Sequence, residues 1–95
     1  MHRSSGNVFE DLGFPKEEAA HLLIRTDLMS QVKRLIDARG FTQKEAAKAL
    51  GVSQPRVSDL VRGRIHLFSI DTLVEMLAHL GVTVTVTTRR RSRVA

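Results

Sequence analysis

Residues 42–62, TQKEAAKALGVSQPRVSDLVR, decide the fold of this chain of 95 residues. They contain two short helical patterns, and each pattern begins with a hydroxyl residue followed by glutamine, Thr42-Gln43 and Ser53-Gln54. Such a hydroxyl caps a helix by accepting hydrogen bonds from the backbone N–H groups of its first turn. Because the two helices lie so close in sequence, we expect them to meet at a steep angle, with the second projecting outward.

The residues between these caps agree with that interpretation. Glu45 follows Thr42 by three positions, as in a capping box. Gly51 lies where the first helix must end in a left-handed backbone conformation, which costs glycine little. Pro55 lies in the first turn of the second helix, where its missing N–H is not needed. The spacing predicts that the inward face of the second helix consists of Val57, Leu60 and Val61.

Composition limits the possible classes of protein. The length suits a single domain, and 42% hydrophobic with only 4% aromatic residues favours a helical core. The chain has no cysteine, which excludes disulfides and thiolate metal sites. The sequence shows neither an apolar signal segment nor an apolar run of membrane-spanning length, so we expect a cytoplasmic protein with no membrane partner.

The positive charge is unevenly distributed. The net charge is +5, but four of these charges belong to Arg89, Arg90, Arg91 and Arg93, so residues 1–88 carry only +1. Residues 42–64 carry a local charge of +3. This local charge supports contact with phosphates better than the overall isoelectric point does.

Two further helices are predicted on either side of the 42–62 segment. A stripe at helical spacing predicts one long helix over 16–38, ended by Gly40. Another helix is expected from Ser69 to Gly81. Near the N-terminus, an apolar cluster is expected to pack on the core. The stripe of the long helix comprises Ala20, Leu23, Ile24, Leu28, Val32, Leu35 and Ile36, and the N-terminal cluster comprises Val8, Phe9, Leu12 and Phe14.

Residues 82–88, VTVTVTT, alternate with the period of a β-strand. A single strand cannot satisfy its own backbone groups, so we expect it to pair with the same strand of a second copy. The alternative is pairing with residues 7–12 of the same chain. The predicted division is a flexible N-terminus (1–8), a helical domain (9–81), a dimerisation strand (82–88) and a basic tail (89–95). The expected dimer interface is Val82, Thr83, Val84, Thr85 and Val86.

The chain resembles the lambda-repressor-like, Xre-type helix-turn-helix regulators. The residues that carry this resemblance are Thr42-Gln43, Glu45-Ala46-Ala47, Leu50-Gly51-Val52-Ser53-Gln54, Val57-Ser58, Leu60 and Gly63. Outside them, Phe9–Phe14, Phe68-Ser69, Leu73 and Leu80-Gly81 are similar to HigA-type antitoxins of type II toxin–antitoxin pairs. The resemblance implies a mainly α domain of four to five helices with a short C-terminal strand.

The same resemblance implies a homodimer that binds a palindromic double-stranded DNA operator, represses its own operon and neutralises a small RelE- or HigB-like ribonuclease toxin. Two alternatives remain open. One is a stand-alone Xre-type, prophage-like repressor without a toxin. The other is a protein-interaction module that has lost DNA binding, which only Asp59 and Pro55 favour. Pro55 departs from the family pattern, because many members carry a polar residue at this exposed position.

The second helix of the pair supplies the candidate base-contacting residues. Gln54 can make bidentate hydrogen bonds to adenine, and Arg56 can do so to guanine. The alternatives are that Arg56 is a phosphate ligand and that Gln54 is a solvated helix start. Ser58 can donate to a base or a phosphate. Asp59 can accept from cytosine, although a structural role suits its charge better. Ser53, the cap, lies at the same end of the helix.

Phosphate contacts are expected from the first helix and from the turn after the second. Gln43 lies at a helix N-terminus, where an anion meets free N–H groups. Lys44, Arg62 and Arg64 are candidate phosphate ligands, or else a solvated basic surface. His2, His21, His66 and His79 lack metal-ligand spacing, so we expect neither a metal nor another cofactor. No nucleophile elbow or phosphate-binding loop occurs, and we do not expect an enzyme.

Overall fold

The computed structural model describes residues 7–90, which form five α-helices and one turn of 3-10 helix. The predicted mainly helical fold is confirmed, and the long helix expected over 16–38 has those bounds. Residues 1–6 of the predicted flexible N-terminus, and Arg91 and Arg93 of the predicted basic tail, lie outside the described residues. The elements are α1 (Val8–Asp11), α2 (Lys16–Ala38), α3 (Gln43–Leu50), α4 (Gln54–Val61), the 3-10 helix (Ile65–Leu67) and α5 (Ile70–His79).

Side-chain caps fix where α3, α4 and α5 begin. The Thr42 hydroxyl accepts from the Glu45 N–H at 3.1 Å, and the Glu45 carboxylate accepts from the Thr42 N–H at 2.9 Å, so the capping box is complete. Ser53 caps α4 by accepting from the Arg56 N–H at 3.4 Å. Ser69 caps α5 in the same way. Each cap contributes roughly 1 kcal/mol to helix stability.

The turn between α3 and α4 depends on Gly51. Its φ of 71° lies in the left-handed region, and the following amide, that of Val52, donates to the Ala47 carbonyl at 3.0 Å. A Cβ at this position would lie 3.2 Å from Cε1 of His79 at the end of α5. Glycine is therefore favoured here both by the backbone conformation and by the approach of α5.

One hydrophobic core joins α2, α3, α4 and α5. Its largest fully buried side chain is Phe68, which lies between the 3-10 helix and α5. Complete burial of a leucine or phenylalanine contributes about 1.5–3 kcal/mol, so this core determines how α3 and α4 are placed. The buried residues of the core are Leu28, Met29, Val32, Ile36, Ala46, Ala47, Leu50, Val57, Leu60, Phe68, Leu73, Met76, Leu77 and Leu80.

The predicted apolar stripes are wrong at three positions on α2 and one on α4. In the first half of α2, Ala19 and Leu22 are buried, whereas Ala20 is exposed and Leu23 and Ile24 are 39% and 48% exposed. This half packs against α1, one residue around the helix from the predicted stripe. On α4, Val61 is 42% exposed because the helix ends there, beyond the buried Leu60.

The N-terminal region also differs from expectation. Asn7 is buried, its Nδ2 donates to the Ala19 carbonyl at 3.1 Å, and its Oδ1 accepts from the Phe9 N–H at 2.9 Å. Asn7 and Val8 therefore belong to the folded unit and not to a flexible segment. The predicted packing of the apolar cluster on the core is wrong for Val8, Leu12 and Phe14, which are 54%, 70% and 40% exposed, because the short α1 and its C-cap Leu12 present them to solvent.

Residues 82–90 have no regular secondary structure. Val82 and Val84 pack against the core, but Val86 is 81% exposed. Pairing with residues 7–12 of the same chain is excluded, because residues 8–11 form α1. The strand is absent from this single chain, and its pairing with a second copy stays a prediction. Within the described range, no helix is both long and apolar enough to cross a membrane.

We predict that Gly51→Ala destabilises the protein more than Gly63→Ala. Both glycines have positive φ, 71° and 73°, but a Cβ at position 63 has no neighbour within 4 Å. The left-handed backbone costs alanine about 1–2 kcal/mol at either position, and the His79 contact adds to this only at position 51.

Urea denaturation of both variants measures these costs. In a His79→Ala background the difference between the two glycine substitutions should disappear. Equal losses of unfolding free energy in the wild-type background would show that the His79 contact is not energetically significant.

Candidate nucleic-acid interface

Helix α4 presents a polar, solvent-exposed N-terminal end. Val57 and Leu60 are completely buried and fix the rotation of the helix about its axis. The same rotation leaves Gln54 and Pro55 exposed and Ser58 half-buried. Among residues 7–90, the side-chain amide of Gln54 makes no hydrogen bond. Gln54 is therefore held on a rigid element with its donor and acceptor both free.

Unlike the Gln54 side chain, the Arg56 side chain already makes contacts within the chain. Its guanidinium carbon lies 4.3 Å from the centroid of the Phe68 ring, and its Nη1 donates to the Leu67 carbonyl at 3.0 Å. These contacts span α4 and the segment before α5, about a dozen positions along the chain. Local sequence patterns did not indicate them. The only signal was an arginine on α4 and an aromatic residue at the start of the next helix.

Asp59 is paired with Arg64. The carboxylate lies 3.6 Å from the Arg64 guanidinium, and the Arg64 N–H donates to the Asp59 carbonyl at 3.0 Å. The two side chains are 25% and 48% exposed, so the ion pair itself contributes only about 0–1 kcal/mol. Its consequence is geometric, because it holds the turn after α4 and offsets the Asp59 charge beside the exposed face.

Helix α3 offers a second exposed end. Gln43 and Lys44 occupy its first turn, and both are exposed. The Thr42 cap accepts from the Glu45 N–H, while the amides of Gln43 and Lys44 lack an intrahelical acceptor. Backbone N–H groups beside a lysine at a helix N-terminus favour an anion such as a phosphate.

The remaining predicted residues divide between the two ends of α4. Ser53 lies at the start of the helix, where its oxygen already caps the Arg56 N–H. Arg62 and Arg64 are exposed and follow the C-terminal end. At 1.5 Å per residue, Arg62 lies about 12 Å along the helix axis from Gln54, so the two cannot contact the same base pair.

Between residues 7 and 90, no group of three His, Asp or Glu side chains is placed to hold a metal ion. The Arg89 and Arg90 side chains of the basic tail are exposed and lie beyond the helical domain. The arrangement provides hydrogen-bond donors, acceptors and positive charge on two helices. These groups suit a polyanion whose grooves present hydrogen-bonding groups of their own.

Comparison with known proteins agrees with this geometry. Residues 8–89 match the family model described as a helix-turn-helix domain. The chain is 33% identical over 86 residues to an uncharacterized HTH-type transcriptional regulator of Haemophilus influenzae (strain ATCC 51907 / DSM 11121 / KW20 / Rd), covering 87% of this chain and 84% of that protein. A solved structure, provisionally described as an XRE family transcriptional regulator, superposes with a TM-score of 0.71 at 30% identity, covering 82% of this chain and 90% of that one. The chain belongs to the XRE family of helix-turn-helix transcriptional regulators.

Proposed function

We propose that the protein is a sequence-specific DNA-binding repressor that acts as a homodimer on a palindromic operator. The observation that carries this proposal is the exposed end of α4, where Gln54 projects from a helix capped by Ser53 and anchored by Val57 and Leu60. A helix presented in this way fits the major groove, where glutamine pairs with adenine through two hydrogen bonds.

Arg56 acts as a preorganised contact in this proposal. A guanidinium carries five N–H donors, and the Leu67 carbonyl occupies only one nitrogen. Stacking on Phe68 limits the motion of the side chain before DNA is bound, so less entropy is lost on binding. The donors that remain can bind guanine or a neighbouring phosphate without release of the internal contacts.

Phosphate contacts come from the residues around this base-contacting end. Gln43 and Lys44 at the start of α3 bind one stretch of backbone, and Arg62 and Arg64 after α4 bind another. Ser58 donates to a flanking group, and Asp59 has a structural role through Arg64. These contacts orient the protein and add affinity that depends on salt, whereas Gln54 and Arg56 supply specificity.

Homodimerisation is proposed because, in the segment 82–88, no N–H after that of Val82 donates to a backbone carbonyl of the described chain. A dimer about a twofold axis places two α4 helices on successive major grooves, about 34 Å apart. The interface residues are Val82, Thr83, Val84, Thr85 and Val86, of which Val82 and Val84 already pack on the core of their own chain. We place the protein in the cytoplasm, where its DNA lies.

The finer role that we propose is that of an antitoxin, which binds a small RelE- or HigB-like ribonuclease toxin and represses their shared operon. Support comes from the resemblance to HigA-type antitoxins and from the apolar side chains that α1 exposes outside α3 and α4. Leu12 is 70% exposed and Val8 is 54% exposed, and a protein partner can cover them. The alternative is a repressor without a toxin, and the description of the relatives as transcriptional regulators is compatible with both roles.

We predict that Gln54→Ala and Lys44→Ala weaken DNA binding in different ways. Gln54→Ala should cost about 1–3 kcal/mol on the operator and little on an unrelated duplex, because only base recognition is lost. Lys44→Ala should weaken both duplexes equally and reduce the slope of log affinity against log salt by about 1. Fluorescence anisotropy on the duplex upstream of the protein's own gene measures both effects.

The matched control is Lys16→Ala, which removes an exposed lysine at the start of α2, away from α3 and α4. It should leave both affinities unchanged. If Gln54→Ala lost affinity equally on both duplexes, Gln54 would not contact bases.

The antitoxin role predicts a complex with the product of the neighbouring gene. Co-expression of the two chains, followed by purification through a tag on the neighbour, should recover a stoichiometric complex. Leu12→Glu should abolish this complex while operator binding is retained, because Leu12 lies outside the helix-turn-helix. Recovery of the neighbour alone, with intact operator binding by this protein, would favour the repressor without a toxin.

A further inference from the structure

The C-terminal segment leaves an apolar surface open beside α2. Val82 and Val84 are half-buried against the helices, and alternation places Val86 on the same face, yet Val86 is 81% exposed. A groove of about 450 Å³ runs between this segment and α2, and its wall includes Ile24, which is 48% exposed. The helical domain of one chain therefore covers the first two valines and not the third.

The backbone of the same segment is also unsatisfied. The Val82 N–H donates to the Leu77 carbonyl at 2.9 Å, and no N–H of residues 83–90 donates to another backbone carbonyl of the described chain. In an extended segment, alternate residues direct their N–H and C=O groups to the same edge. With the Val82 amide turned towards α5, the amides of Thr83, Thr85 and Thr87 face the open edge.

We propose that a second copy of residues 82–88 occupies this edge in an antiparallel register centred on Thr85. This proposal rests on the homodimer of the proposed function and specifies which residues of the two segments lie opposite each other. In this register Thr85 lies opposite Thr85 of the second copy, and Val84 lies opposite Val86. Residues 83–87, TVTVT, are identical in both directions about Thr85, so valine meets valine and threonine meets threonine. The exposed Val86 is then covered by a core-packed Val84.

The neighbouring registers are less favourable. A centre at Val84 would place Thr87 opposite Gly81, whose N–H already donates to the Ala78 carbonyl at 2.9 Å, so this pair could not complete its hydrogen bonds. A centre at Val86 would place Val84 opposite Thr88, so the core-packed Val84 would have no valine partner. The centre at Thr85 keeps all seven residues within the segment, and its unlike pairing, Val82 with Thr88, falls at the two ends.

Single-cysteine crosslinking tests the register, because the natural chain contains no cysteine. Residues directly opposite in an antiparallel pair have Cα atoms about 4.5–5.5 Å apart, within the range of about 4.4–6.8 Å that a disulfide requires. Thr85→Cys should therefore form a covalent dimer under mild oxidation, seen on a non-reducing gel. Thr83→Cys alone and Thr87→Cys alone should not, because each lies about 13 Å from its own equivalent, four residues away at about 3.3 Å per residue.

Crosslinking of a mixture of the Thr83→Cys and Thr87→Cys chains is the decisive experiment. These two positions face each other in the proposed register, so the mixture should form a disulfide-linked heterodimer that neither variant forms alone. Glu75→Cys, exposed on α5 and outside the segment, controls for random collision and should remain uncrosslinked.

Sedimentation of the wild-type protein, together with the crosslinking results, distinguishes the possible failures. A dimer that crosslinks best through Val84→Cys or Val86→Cys would overturn the register and keep the ribbon. A dimer that crosslinks at no position from 82 to 88 would overturn the ribbon as the interface. A monomer at micromolar concentration would overturn both the register and the proposed homodimer, while operator binding by the same sample tests the DNA-binding function independently.

Discussion

The placement of α4 depends on the left-handed turn at Gly51. Without this turn, a helix that begins at Gln43 could not end after Leu50 and let a second helix begin at Gln54. The caps Thr42 and Ser53 fix where each helix begins, and the buried faces of both helices fix their rotation. The outward position of Gln54 is thus a consequence of packing, because any rotation that hid Gln54 would expose Val57 and Leu60.

In the proposed complex with DNA, the contacts of Arg56 with Phe68 and Leu67 hold its guanidinium in place before binding. An exposed cation–π contact contributes about 0.5–1 kcal/mol, and a hydrogen bond to a carbonyl contributes about as much. A bidentate contact with guanine contributes about 1–3 kcal/mol of discrimination. These magnitudes are comparable, so DNA can compete for the guanidinium, but it need not do so while other N–H donors remain free. The internal contacts with Phe68 and Leu67 would then lower the entropic cost of binding and leave its specificity intact.

Local features of the structure could be predicted from the sequence, and features that depend on distant contacts could not. The capping box at Thr42, the cap at Ser53 and the left-handed Gly51 each depend on residues a few positions apart, and all three were predicted. Helical spacing identified the apolar stripe in the second half of α2, but in the first half α1 packs on the face of Ala19 and Leu22, so the prediction that Leu23 and Ile24 are buried is wrong. The four-residue α1 is too short to show a period.

Among the candidate DNA contacts, the partners of Arg56 were missed because α4 meets them only through tertiary packing. In the segment 82–88, no N–H after that of Val82 donates to a backbone carbonyl of the described chain, and pairing with a second copy stays a proposal.

Titration of the isotope-labelled protein with the duplex upstream of its own gene, followed by amide chemical shifts, tests the central claim most directly. The claim is that the exposed ends of α3 and α4 form the DNA interface. The account predicts that the largest shifts occur at residues 42–45 and 53–58 and that α1 and the first half of α2 change little. Large shifts along α1 and the first half of α2, with residues 42–58 unchanged, would contradict it.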